Sequence, residues 1–247
     1  MLIYLALPLA FLPSLLWLLF YLRKDVHPEP NRLIIRVFLW SLLITSITAL
    51  LIAGLYEIEQ QNLVNFQEIA PYLFSFPILM LLFNAFWEEI LKYLIVRFTI
   101  LKNRNFDEPV DAMEYMIISA LGFAAVENVL IAFSYENLIE LSNILFVRFL
   151  GATFIHALSS AIVGMFLARA IFKQKNRKRY PLKIGYVLVG ILLASGLHGI
   201  FNFLIIRSEN LENRCYLYLI AVFLIFLAVI VTRGFRKLNL QSLKKSK

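Results

Sequence analysis

The stretch Leu81-Leu82-Phe83-Asn84-Ala85-Phe86-Trp87-Glu88-Glu89-Ile90-Leu91-Lys92-Tyr93-Leu94-Ile95-Val96 decides how this chain is read. Three charged residues lie inside an apolar run long enough to cross a bilayer. A charge near the centre of a membrane helix costs about 2.5–3.5 kcal/mol on insertion scales, so three in one helix need a compensating reason. On a helix Lys92 falls one turn from both Glu88 and Glu89 and can pair with either. One carboxylate is then left without a partner in its own helix.

Composition places the rest of the chain around that run. The chain has 247 residues, 61% of them hydrophobic, and its mean hydropathy is +0.77, well above soluble usage. The net charge of +8 comes from basic residues in short loops between apolar runs. That placement indicates topology determinants and contact with anionic head groups of the lipid bilayer, and it excludes a nucleic-acid-binding face. Cys215 is the single cysteine, which rules out an internal disulfide framework.

The apolar pattern predicts an all-α, polytopic transmembrane helical bundle of about seven spans. They run over about 2–22, 33–56, 71–101, 112–135, 144–172, 184–206 and 216–232. The first ends at Arg23-Lys24, with its charges after the apolar run, so it reads as a retained helix and not a cleaved signal. The third and fifth exceed the ~20 residues that a span needs. Tilt, a kink or projection from the bilayer must absorb the excess, and Pro77 is the candidate kink in the third.

Loop charge predicts the orientation. The loops after spans one, three and five and the tail are rich in Lys and Arg, while 57–70 and 136–143 contain neither. The N-terminus is therefore expected outside and the C-terminus in the cytosol. No loop is long enough for a soluble domain. Residues 1–247 read as one integral-membrane domain, with a four-helix core over 71–206 carrying the polar residues.

Those polar residues fall in four successive spans. Beyond Glu88, Glu89 and Lys92, span four carries Glu127 and Asn128, span five Arg148 and His156, and span six His198 and Asn202, which share a face at i,i+4. A rise of about 1.5 Å per residue puts them at comparable depth. Asp111 stands at the cytoplasmic start of span four, where it is also placed to cap the helix. Taken singly, a buried His or Asn is ordinary interhelical glue, and Arg148 can snorkel to head groups. Their conjunction is what those readings leave unexplained. The surplus negative charge has to be met by protonation, a histidinium or a bound cation, and two His with carboxylates form a zinc-type ligand set. There is no HExxH, no Gly-x-Ser-x-Gly elbow and no P-loop, and the Ser159-Ser160 pair lacks a triad.

Glu88-Glu89-x-x-Lys92, then Gly122-Phe123-Ala124-x-x-Glu127-Asn128, then Arg148 with His156, then His198-x-x-x-Asn202 resemble the PrsW family of bacterial intramembrane proteases. The wider kinship is with the CAAX prenyl protease and bacteriocin-processing group. Many members carry glycine where this chain has Ala112 and Met116. The resemblance implies peptide-bond hydrolysis in a bacterial plasma membrane, typified by site-1 cleavage of single-pass anti-sigma factors. It implies that Glu88 and Glu89 orient and deprotonate the attacking water with help from His156, and that His198 and Asn202 stabilise the oxyanion or His198 binds a metal. The family is of metallo- or glutamate-type: in the first case a divalent cation such as zinc sits on His156, His198 and Glu127, in the second Glu127 is a further base, with Lys92, Asn128, Arg148 and Asp111 in support. The rival reading is an ion- or proton-coupled transporter using the same Glu/His cluster, although no inverted-repeat halves are visible. A non-catalytic scaffold gives the buried charges no role.

Overall fold

The computed structural model describes residues 2–61, 77–172, 180–208 and 215–245, and among these it is helical with no strand. The helices are α1 (Leu2–Leu22), α2 (Asn31–Gln60), α3 (Pro77–Thr99), α4 (Asp111–Ala132), α5 (Leu138–Leu150), α6 (Ala152–Phe172), α7 (Tyr180–Ser208) and α8 (Cys215–Lys245). Six helical stretches are long and apolar enough to cross a membrane, one of them formed by α5 and α6 together. The polytopic transmembrane bundle is therefore present. The expected span at 71–101 is α3, which has the length but carries Glu88, Glu89, Lys92 and Arg97.

Two boundaries differ from the sequence expectation, each for a physical reason. Pro77, the expected kink of the third span, is the first described residue of α3, and residues 71–76 before it lie outside the described residues. The long fifth span is two helices that break at Gly151, which resolves its excess length. Trp17 secures that break: its indole N–H donates to the carbonyl of Phe149 at 2.8 Å, one of the acceptors a helix end leaves over. Its ring also stacks on Phe154 with centroids 4.1 Å apart. The last helix runs past Thr232 to Lys245, because Phe235 and Leu238 continue its buried stripe between Arg233, Arg236 and Lys237.

α4 and α6 form the centre. Both are buried along most of their length by protein, polar residues included. α4 is enclosed by α1, α2, α3 and α6, while α6 also contacts α7 and α8. Small residues allow the close approach. A Cβ built on Gly164 of α6 would lie 2.5 Å from Met113 Cα and 2.6 Å from the Ala112 carbonyl, both backbone atoms of α4 that cannot step aside. This is the packing that small-residue interfaces permit between membrane helices. Gly164→Ala is expected to lose about 1–3 kcal/mol through overpacking, read as a lower thermal midpoint in detergent.

Candidate active site

Lys92 is at the centre of the polar cluster, with its side chain wholly buried. Its ammonium lies 2.7 Å from Glu89 Oε1, 3.0 Å from His156 Nδ1 and 3.7 Å from Glu88 Oε2. The i,i+3 and i,i+4 spacings on α3 supply the first and third contacts, and α6 delivers the histidine.

The two adjacent glutamates occupy different surroundings. Glu89 has 0% exposure, and both its oxygens are occupied. Ser160 Oγ donates to Oε2 at 2.7 Å, while Ser159 Oγ donates to Oε1 at 3.1 Å beside the lysine. His198 Nδ1 stands 3.5 Å from the same Oε1. A buried carboxylate with so many donors is a fixed anion. Glu88 keeps 28% of its side chain exposed, and its Oε2 is buried without a hydrogen-bond partner. That oxygen is 3.8 Å from the Nδ1 atoms of both His156 and His198.

The lysine also fixes the tautomer of His156. An ammonium can only donate, so Nδ1 accepts from Lys92, and the ring proton sits on Nε2 and is donated to Glu127 Oε2 at 3.1 Å. Arg148 holds that carboxylate from α5 at 3.0 Å and donates through Nε to Asn128 Oδ1 at 2.6 Å. Asn128 in turn donates to Thr153 Oγ1 at 3.2 Å. Three carboxylates thus face two fixed cations, Lys92 and Arg148.

Glu88, His156 and His198 each offer one ligand atom, all within 4.8 Å of one another. The donor set suits a divalent metal: two imidazoles and a carboxylate are the ligands of catalytic zinc sites. The geometry supports the fit independently, because Glu88 Oε2 and His198 Nδ1 are both buried and unpartnered. The two imidazole rings lie 4.6 Å apart, edge to face. Of the three residues expected as ligands, the two histidines stand in this group, while Glu127 sits on the far nitrogen of His156.

The structure brings Glu88, Glu89, Lys92, Glu127, Asn128, Arg148, His156 and His198 into one network. Asn202 lies at its edge and, with Arg148, Gly151 and Phe201, lines a cavity of about 730 Å³ between α5 on one side and α7 and α8 on the other. Asp111 is elsewhere, about 24 Å along α4 from Glu127 at the helical rise. Its Oδ2 accepts from the backbone N–H groups of Asp107 and Glu108 at 3.0 and 2.8 Å, so it ties down the preceding loop and does not cap α4. Near it Tyr115 donates to Glu29 at 2.6 Å. Burial pushes the Glu29 carboxyl above its usual range, and that hydrogen bond opposes the shift.

Sequence reasoning missed the serines, having weighed them only as nucleophiles. The available signal was their spacing, three and four residues from His156 on the same helical face.

A polytopic helical bundle that encloses imidazoles and carboxylates within its helices is the arrangement of an intramembrane metalloprotease. The family model described as "PrsW family intramembrane metalloprotease" matches residues 29–230, and the chain belongs to that family. It is 28% identical to Protease PrsW of Geobacillus kaustophilus over 82% of this chain and 80% of that protein. It is 27% identical to Protease PrsW of Bacillus subtilis, covering 84% and 83%. The match to Protease PrsW of Oceanobacillus iheyensis is 30%, covering 78% and 79%. No solved structure matches. The protein is a multi-pass integral membrane protease with membrane proteins as its substrates, and its relatives are bacterial.

Removing one member of the buried pair strands the other. Lys92→Met is expected to lower stability by about 3–5 kcal/mol, and Glu89→Gln in the same chain should recover much of the loss. Thermal unfolding of the three proteins in detergent checks both expectations.

Proposed function

We propose that this chain cleaves single-pass membrane proteins, with anti-sigma factors as the class that the family resemblance suggests, using water activated by Glu88. The observation that carries the reading is the contrast between the paired glutamates. Glu89 is walled off with both oxygens engaged, whereas Glu88 is part-exposed with Oε2 unpartnered beside two imidazoles.

Glu88, His156 and His198 would hold a divalent cation, with His156 Nδ1 turning to the cation in place of the hydrogen bond it accepts from Lys92. When bound, the cation polarises the scissile carbonyl and acidifies water. With the carboxylate oxygen not given to the cation, Glu88 would orient the attacking water, take its proton and pass that proton to the leaving amine. Glu127 keeps the His156 ring in one tautomer and orientation, as an outer-shell carboxylate does, and Arg148 balances its charge. Glu89 is a positioning residue: clamped by Ser159 and Ser160, it holds the Lys92 ammonium beside Glu88. Asn202 lines a cavity with Arg148, and in this reading a substrate segment reaches the site from there, with the Asn202 amide donating to the developing oxyanion.

The basic loops put the N-terminus outside and the C-terminus in the cytosol, so the single domain of residues 1–247 reads its substrates from its core over 71–206. Cys215, exposed at the start of α8, then faces outward. A membrane-impermeant maleimide should label it in intact cells, and labelling only after lysis would reverse the orientation.

The function is tested by comparing protein N-termini in membranes and medium from cells carrying wild type or Glu88→Gln. New N-termini near a transmembrane segment are expected with wild type alone, with cleavage down about 100- to 10,000-fold in the variant. Identical profiles under an inducing stress would overturn the reading. Chelation should abolish cleavage by wild type, and metal analysis should find less bound metal in Glu88→Gln.

A further inference from the structure

About 20 Å along α6 from His156, at the helical rise, a second cavity of about 600 Å³ opens between α6, α8 and the loop before α4. Three cations stand on it: Arg169 from the last turn of α6, and Arg233 and Lys237, one turn apart on α8. All three are exposed at their tips. Among the described residues none of them forms an ion pair; Arg169 lies only over the ring of Phe166, 5.2 Å from its centroid. The floor is apolar, made of Met165, Ala168, Phe172, Ile230 and Leu238.

The floor exists because α8 closes on α6 at a glycine. A Cβ on Gly234 would lie 2.5 Å from Met165 Sδ, so any larger residue there would push Met165 into the cavity. The cavity is at the end of the spans Leu138–Phe172 and Cys215–Leu243, the level at which lipid phosphates meet protein. A free phosphate would use the rim and leave the floor uncovered. A phospholipid covers both, with its phosphate among the cations and an acyl chain on the floor.

We propose that this cavity is a binding site for one anionic phospholipid, held through its phosphate by Arg169, Arg233 and Lys237 and through an acyl chain by the floor around Ile230 and Met165. The site is separate from the polar cluster of the active site and does not depend on the protease mechanism. Three cations on one cavity, without an ion pair among the described residues and with an apolar lining beneath, distinguish it from a general positive surface, which has no floor.

The test is native mass spectrometry of the full chain in nonionic detergent, titrated with phosphatidylglycerol, phosphatidylcholine or inorganic phosphate. Wild type should retain one phosphatidylglycerol and neither of the other two. The variant R169Q/R233Q/K237Q should bind roughly a hundredfold more weakly, from roughly fivefold per cation removed. A control, R23Q/K102Q/R104Q, removes the same charge outside the cavity and should bind as wild type does. Ile230→Trp fills the floor, keeps every cation and should also lose the lipid. Equal losses in both triple variants would reduce the effect to net charge and overturn the site. Wild-type affinity in Ile230→Trp, or retention of phosphate itself, would overturn the lipid. Helical circular dichroism of each variant establishes that it is folded.

Discussion

The interaction on which the structure depends is the Lys92–Glu89 pair, closed at 2.7 Å with both side chains wholly buried. In hydrocarbon neither charge is tolerable alone, and even a pair needs its remaining hydrogen-bonding capacity met. Every helix around the site contributes to that requirement. α6 sends Ser159, Ser160 and His156 to the pair, and α7 sends His198. The first two donate to the carboxylate, and His156 takes the lysine's remaining attention. The burial of α4 and α6 follows from this, since they must screen the pair from lipid.

A second level of organisation follows from the first. With Lys92 occupying one nitrogen of His156, the other must be a donor, and it finds Glu127; Glu127 needs a cation and finds Arg148. Arg148 sits on α5 and His156 on α6, so the two partners of Glu127 come from either side of the break at Gly151 that Trp17 secures.

Much of this was legible in the sequence. Hydropathy gives the bundle, and the depth of Glu88, Glu127, His156 and His198 gives their meeting, because a membrane fixes helix direction so strongly that position along the chain becomes height. Rotation about each helix axis is what hydropathy does not carry, since an apolar residue satisfies lipid and protein neighbours alike. That is why Ser159 and Ser160 could not be placed on Glu89, nor Glu127 on the outer side of His156. The same blindness applies to Asp111. Its spacing suits a helix cap, but the carboxylate turns back to two loop amides, a choice made by the path of residues 107–110 and not by α4. Helix ends fail for another reason: α8 outruns its apolar stretch because a helix needs only one buried stripe to continue.

The neighbouring glutamates of α3 carry one further consequence. Successive residues on a helix point about 100° apart, so one peptide unit is enough to separate the carboxylate that is locked away from the one that meets water. The different surroundings of Glu88 and Glu89 are therefore written as register and not as chemistry. Inserting a single residue between Glu89 and Lys92 would leave every side chain present and the composition of the helix almost unchanged. It would also swing the lysine out of line with the serines and imidazoles on the facing helices. Reading-frame-preserving changes of length, harmless in most membrane helices and trivial in the loops, are what this segment is least able to absorb.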